Sequence, residues 1–473
     1  MQAKPFVDGH WRDDGRAGYD VHTPGSGNPV TAVREARPSD VEDAITAALR
    51  AFEAARALPA FERAKWLRAT ADGIGAHAAE LAAAIVAEVG KPVQLARAEV
   101  ERARLVFTLA AEEATRLGGE LVPLEAAPAG AGKLGIVRRF ARGPVAAITP
   151  FNFPLNLAAH KLAPALACGA PVLWKPAPEG PGTAALLVTI MERAGVPAGM
   201  LALLPAAHQT AAPLIDDARV RVLSFTGSAA AGWALKARAP RKQVLLELGG
   251  DAFAIVEPDA DLELATRKIV QGAFAYSGQI CIAVQHVLAA RAIAGELRER
   301  ILAATRAVPI GDATVEGTQV VPLIRKQDAD RVVAWKDEAL AAGARLLAGG
   351  GRSGDTVEPT WLERVPEEVR LAREEVFGPV KTFAEYGDVE EAFARVGRSP
   401  WGLQASLFTR DVRTLMRAHE RLEVGAVIHD EWPLFRVDSM PYGGSKGSGW
   451  GREGLRYAIE EFTEPRMLVL SRG

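Results

Sequence analysis

Two cysteines, Cys168 and Cys281, are all that 473 residues contain. Cys281 stands in YSGQICIAVQHV, residues 276–287, between Ile280 and Ile282 and just after a glycine and a glutamine. A free cysteine is most often a small core residue, and Cys168, inside LAPALACG (162–169), reads that way. The polar, turn-like SGQ ahead of Cys281 is an approach that a core strand does not require, so Cys281 is the candidate nucleophile. Thiolate chemistry needs an exposed sulfur, a base nearby and a donor for the oxyanion that attack creates. Glu247 ends the apolar run VLLE and is followed by Gly249 and Gly250. A carboxylate part-buried there has a raised pKa and can act as the base. Asn152, in TPFNFP (149–154), can supply the donor.

Two further polar residues follow apolar runs. Lys175 closes VLWK, and Ser228 follows Gly227 at the expected start of a helix, where its hydroxyl, its N–H and the helix dipole suit a phosphate. Each has a plainer reading. Asn152 can cap a helix beginning near Pro154, Lys175 and Glu247 can be solvated strand ends, and Ser228 can be only an N-cap. Together the four lie at the carboxyl ends of predicted strands, where open α/β sheets bind ligands. No G-x-G-x-x-G follows any strand, so an ordinary Rossmann motif is absent.

The elements that must position these residues alternate. Residues 144–149, 171–176, 222–227 and 243–250 read as strands, and 154–168, closed by Gly169, and the stretch from Ser228 as helices. Such alternation predicts a parallel sheet covered on both faces, a doubly wound α/β domain. A second alternating series runs from Gly250 to about residue 440. Upstream, Ser39 and Glu42 have capping-box spacing, and Val41, Ile45, Leu49 and Phe52 share one helical face. Helical patterns continue to about Leu117. Residues 118–144, rich in Gly and Pro, predict a protruding hairpin, and TEPRMLVL (463–470) an edge strand.

The chain as a whole narrows the field. Its length exceeds one ordinary core, and 49% apolar residues fill two or three. A net charge of −2, with charges mixed along the chain, supplies no basic stripe for nucleic acid or anionic lipid. No run approaches the roughly 20 apolar residues that span a bilayer, and the N-terminus lacks an apolar signal core. Two distant cysteines form no disulfide framework. The expectation is a cytoplasmic protein with reduced thiols and a small-molecule partner, without nucleic acid, membrane or metal.

TPFNFP, KP (175–176), FTGS (225–228), ELGG (247–250), GQIC (278–281) and EEVFGPV (374–380), in this order and spacing, resemble the aldehyde dehydrogenase superfamily over nearly the whole chain. The resemblance implies an α/β fold with a Rossmann-like cofactor domain (1–119 and 144–248), an α/β catalytic domain (249–445) and a small β oligomerisation arm (120–143 and 455–473), in a homodimer or homotetramer. It also implies that Cys281 forms a thiohemiacetal and then a thioester, that Asn152 and the Cys281 N–H hold the oxyanion, and that Glu247 activates the hydrolytic water. Lys175 and Glu375 would bind cofactor ribose hydroxyls and Ser228 a phosphate. Phe377 would pack beside the nicotinamide, with Thr149, Pro150, Phe151, Gly227 and Pro178 completing the cofactor site.

Departures from the family pattern qualify the ligands. Where many NAD-using relatives have Glu three residues after the lysine, this chain has Pro178 and then Glu179, so NAD is expected and NADP is not excluded by charge. Residues 203–213 lack glycines that relatives carry near the cofactor. FRVDSMPYGGSKGSGWGREG (435–454) resembles the group acting on lactaldehyde, phosphonoacetaldehyde and glyceraldehyde 3-phosphate. By that analogy Thr108, Phe153, Leu157, His160, Ile280, Ile282, Arg436 and Tyr442 line the substrate pocket. Members that bind phosphate or phosphonate carry Arg where this chain has Thr108 and Ile280, so an uncharged small or medium aldehyde is expected, with the group's own substrates as the alternative. Arg436 is expected to pair with an acidic neighbour such as Asp438 or with a carboxylate tail. A CoA-acylating enzyme would lack Glu247, and a non-catalytic binding protein would have lost Cys281, Glu247 or Asn152.

Overall fold

A computed structural model describes residues 1–471; Arg472 and Gly473, the end of the expected arm, lie outside the described residues. The first alternating series forms an eight-stranded sheet. Its order is Gly449–Trp450, Gln243–Glu247, Val222–Thr226, Val145–Ile148, Val172–Lys175, Leu201–Leu203, Phe6–Val7, His10–Trp11. The strands from Gln243–Glu247 to Leu201–Leu203 are parallel, and the flanking short strands add antiparallel. Runs such as VAAI and VLSF are apolar at nearly every position because helices cover both faces of the sheet.

Register explains why the polar strand ends meet. Thr226 pairs with Glu247, and Ile148 with Lys175, so all four strands stop at one edge of the sheet. The chain runs outward from Val145–Ile148 in one direction, then returns to add Val222–Thr226 on its other side. That reversal is a switch point, where a crevice opens beyond the strand ends.

The second series forms a seven-stranded sheet, ordered Arg345–Ala348, Thr360–Glu363, Val380–Tyr386, His286–Ala290, Phe253–Val256, Gln404–Phe408, Ala426–His429, with only the first pair antiparallel. Gly119–Val122 and Lys133–Ala141 make the expected hairpin, and Thr463–Ser471 lies antiparallel along Lys133–Ala141. Leu121 and Met467 to Leu470 of this three-stranded sheet are exposed. No helix among the described residues is long and apolar enough to cross a membrane.

The first long helix, Pro38–Ala55, corrects the expected cap. Its N-cap is Arg37, whose N–H donates to Asp40 at 2.7 Å, and Ser39 lies inside the first turn. Pro38 decides this, since its fixed φ suits the first helical position and its missing N–H costs nothing there.

Candidate active site

Between the helix Leu262–Phe274 and Cys281 the backbone turns through three successive residues of positive φ, Tyr276 (50°), Ser277 (57°) and Gly278 (72°). The first two are strained, at a cost of order 1 kcal/mol each. Side-chain bonds hold them: Tyr276 Oη donates to Val89 O at 2.5 Å, and Ser277 Oγ donates to Val321 O at 2.7 Å and accepts from Val321 N at 2.8 Å. At Gly278 a Cβ would come within 2.5 Å of Gly378 O and 2.9 Å of Lys381 Nζ, so only glycine fits. The polar approach to the cysteine is therefore a strained loop ahead of the thiol.

Cys281 emerges from that loop partly exposed, in an apolar cluster with Ile280, Ile282, Tyr276, Tyr442 and Phe153. Its Sγ lies 3.4 Å from Tyr442 Oη. Burial pushes the thiol up to about 12, the neighbouring Glu375 and Glu247 add to this, and the Tyr442 hydrogen bond and Arg436 oppose it. Cys168 is different: its Sγ donates to Ala165 O within its own helix, and it packs against the main core.

Asn152 caps no helix, contrary to the plainer sequence reading. The helix begins at Asn156, and the Asn152 Nδ2 donates instead to Gln279 O at 2.9 Å, two residues before Cys281. An amide nitrogen carries two hydrogens, so one remains for a ligand. The backbone that presents Asn152 is clamped by Glu99, whose Oε1 accepts from Leu155 N (2.9 Å) and Asn156 N (3.0 Å) and whose Oε2 pairs with buried Lys91 at 2.5 Å.

Glu247 is buried with neither carboxyl oxygen bonded. Burial raises its pKa well above the ordinary value and Glu453 adds to the shift, against Arg436, Lys161 and Arg452. A Cβ on Gly443 would sit 2.9 Å from its Oε1. Beside it lies a buried charge network: Glu453 accepts from Lys161 at 2.8 Å and pairs with Arg436 at 3.3 Å, and Lys161 also donates to Ser224 Oγ at 3.1 Å. Although burial opposes it, these cations hold Glu453 below its usual range.

Of the residues expected to hold a cofactor, Lys175 is buried and its pKa is lowered by burial, against the pull of Glu179 and Glu35. Ser228 caps the helix Ala229–Arg238, accepting from Ala231 N at 3.4 Å, and Gly227 N donates to Glu247 O at 3.1 Å. Thr149 Oγ1 accepts from Trp174 Nε1, and after Pro150 the Phe151 ring meets Phe377 edge-on at 6.1 Å. Phe377 itself has φ 47°. Glu375 packs so closely on Gly249 that a Cβ there would be 2.1 Å from Oε2, and its Oε1 is buried without a partner. Burial pushes Glu375 up to about 8. Pro178 O accepts from Tyr19 Oη, and Glu179 lies 3.5 Å from Arg325. A buried ammonium, an orphaned carboxyl oxygen and a capped helix start fit a nicotinamide dinucleotide, which Lys175 and Glu375 would hold at its hydroxyls and Ser228 at a phosphate.

On the substrate side Arg436 has an acidic partner, as expected, though not the one named. Arg436 pairs with Glu453 rather than Asp438, while its guanidinium stacks 3.7 Å over the Tyr442 ring and its Nε stays unbonded. Asp438 is taken by Arg102 at 2.7 Å and by His160 Nε2 at 2.8 Å. His160 does not offer a positive charge, because burial and Arg436 push it down to about 4. Leu157 is buried on the same helix as His160. The Thr108 hydroxyl is spent on Arg104 O at 3.0 Å. Sequence reading passed over Glu99, Lys161, Arg102 and Glu453. A charged residue inside an apolar helical run, as Lys161 is in NLAAHKLAPALAC, was the available signal.

Residues 11–468 match the model of the aldehyde dehydrogenase family. The chain is 38% identical over 467 residues to 3-sulfolactaldehyde dehydrogenase of Priestia aryabhattai, covering 98% of this chain and 97% of that one. Aldehyde dehydrogenase 21 from Physcomitrella patens, solved in complex with the reaction product succinate, superposes with a TM-score of 0.98 at 38% identity, covering 100% of this chain and 98% of that one. The NADP-dependent glyceraldehyde-3-phosphate dehydrogenase from Bacillus halodurans C-125, solved with NADP, gives a TM-score of 0.97 at 33% identity with 100% of both chains covered. The chain belongs to the aldehyde dehydrogenase family.

Proposed function

We propose that this aldehyde dehydrogenase oxidises a small aldehyde to its carboxylate with NAD, or with NADP, through a covalent cysteine intermediate. The observation that carries the reading is the tie between Asn152 and Gln279, which supports Asn152 as an oxyanion donor beside the Cys281 loop. Cys281 Sγ, as thiolate, adds to the carbonyl carbon, and the Asn152 amide with the Cys281 N–H stabilises the oxyanion. The nicotinamide, when bound, supplies the acceptor for the two electrons and hydrogen that leave the thiohemiacetal carbon. Glu247 takes a proton from water as its oxygen attacks the thioester carbon, and Cys281 departs as the carboxylate forms. Glu247 then gives that proton up to solvent, and the second proton of the attacking water leaves as the product acid ionises.

The uncharged small or medium aldehyde expected from Ile280, Ile282 and Thr108 is the first reading of the substrate. One observation favours a second, a tail bearing a single negative charge. Lys161 and Arg436 share one carboxylate, Glu453, His160 is neutral, and burial favours the uncharged form of Glu247, so this buried wall carries one cation in excess while Glu247 is protonated, and Arg436 Nε lacks a partner. The sulfonate and succinate chemistry named for two relatives agrees with that reading. Steady-state kcat/KM for propanal, hexanal, benzaldehyde, lactaldehyde, succinic semialdehyde, sulfoacetaldehyde and glyceraldehyde 3-phosphate, with each cofactor, decides between them. Absence of nicotinamide reduction with every one would refute the activity.

We further assign residues 1–119 and 144–248 to the cofactor domain, 249–445 to the catalytic domain and 120–143 with 455–471 to an oligomerisation arm. The exposed apolar Met467 to Leu470 support an arm that a second copy of the chain covers, in a homodimer or homotetramer. Two free thiols suit a reducing cytoplasm.

A further inference from the structure

The seven-stranded sheet carries a second concavity, of about 930 Å³, apart from the cysteine. Six arginines line it: Arg298, Arg345, Arg364, Arg373, Arg395 and Arg398. Three of them converge on one carboxylate, Glu363, with Arg298 at 3.3 Å, Arg364 at 3.9 Å and Arg345 closer still. Glu385 and Glu367 are the other acidic wall residues, and Glu391, outside the wall, takes Arg395 at 2.7 Å. Six guanidinium groups against four carboxylates leave two positive charges, and Asp251 behind wall residue Ser399, pushed up to about 7 by burial, offsets at most one of them. His286 in the wall adds none, since burial pushes it down to about 3. Arg364, with φ 54°, and Arg345 are more than half exposed, so their charges are open to a ligand.

The wall is joined to the cofactor site. Ala372 and Arg373 line the cavity and lead directly into Glu375. The segment is held by Trp401 Nε1 donating to Arg373 O at 2.8 Å, and by Gln285, which donates to Glu374 O at 2.8 Å and accepts from Val376 N at 2.9 Å. Gln285 is the chain neighbour of the wall residue His286.

We propose that this cavity binds a small organic dianion, a phosphate ester or a dicarboxylate, and that occupancy tightens cofactor binding through residues 372–376. Arginine forks pair two-pronged with either oxyanion, and bridging Arg345, Arg364 and Arg373 relieves their mutual repulsion on the segment that presents Glu375. The binding half stands on the cavity alone; the coupling half rests on the proposed cofactor role of Glu375.

The test is calorimetry of the full-length enzyme, saturated with NAD, against fructose 6-phosphate and against malate, with sodium chloride matching ionic strength. Saturable binding of at least one is expected, and which one binds assigns the oxyanion class. In the double variant Arg345→Ala with Arg364→Ala, checked for an unchanged urea midpoint, affinity should drop about tenfold. The bound anion should lower the KM for NAD about fivefold. No saturable heat with either ligand, or equal binding to the double variant, overturns the site. Binding that the variant abolishes, with the KM for NAD unmoved, overturns the coupling alone.

Discussion

The sulfur of Cys281 lies 3.4 Å from the hydroxyl of Tyr442, a residue 161 positions later in the chain. That hydroxyl is hydrogen-bonded to the sulfur and opposes the burial that, with Glu375 and Glu247, pushes the thiol up to about 12. Tyr442→Phe should therefore slow alkylation of Cys281 by iodoacetamide about fivefold at fixed pH, the worth of one hydrogen bond of about 1 kcal/mol. Cys281→Ala should abolish oxidation with cofactor binding intact, and Cys168→Ala should leave turnover unchanged. An unaltered alkylation rate in Tyr442→Phe would remove the tyrosine from thiol activation.

Glu247 is expected to act after the acyl-enzyme forms. Glu247→Gln should give a near-normal first turnover and then a slow steady state, read as a burst of reduced nicotinamide in rapid mixing. Because burial raises the Glu247 pKa, its base form grows as pH rises, so wild-type steady-state rate should climb from acidic to alkaline pH. In the glutamine variant the burst amplitude should remain while that part of the climb disappears. A first turnover slowed as much as later ones would place Glu247 before thioester formation.

Cofactor choice should respond to Glu179, which sits near Lys175 and 3.5 Å from Arg325. A 2′-phosphate brought there meets this carboxylate, and the Arg325 pairing softens the repulsion. Wild-type preference for NAD should thus stay below about a thousandfold, roughly 4 kcal/mol. Glu179→Gln should move the NADP to NAD ratio of kcat/KM upward about tenfold. A ratio that does not move would show that the 2′ position is read elsewhere.

Tail charge is tested at Arg436. Arg436→Met removes one of the two cations beside Glu453, so kcat/KM for succinic semialdehyde should fall at least tenfold relative to propanal if a monoanionic tail is bound there. Equal losses for both aldehydes would leave Arg436 with the structural pairing to Glu453 only.

Stability should depend on the buried pair of Lys161 and Glu453, both fully shielded from solvent. Lys161→Met leaves Glu453 and Arg436 to balance alone and removes the donor to Ser224, and should cost about 3 kcal/mol in urea unfolding. A loss under 1 kcal/mol would mean that Arg436 alone satisfies the carboxylate.

The order of apolar runs and glycines in the sequence determined the strand and helix alternation, and with it the edge where Lys175, Ser228 and Glu247 meet. Such runs report local period and burial, which the chain encodes within a few residues. The candidate nucleophile stood out for a similar reason, because the loop before Cys281 needs a glycine at 278. Partners distant in sequence were not legible. Arg436 chose Glu453 over the adjacent Asp438 because Asp438 was already held by Arg102, 336 residues away, and by His160. His160 lost its charge, and Asn152 turned one amide hydrogen to Gln279 rather than capping a helix, through burial that only the assembled domains create. Charge pairing in a closed site depends on which groups share the same low-dielectric space, and no window of sequence contains that information.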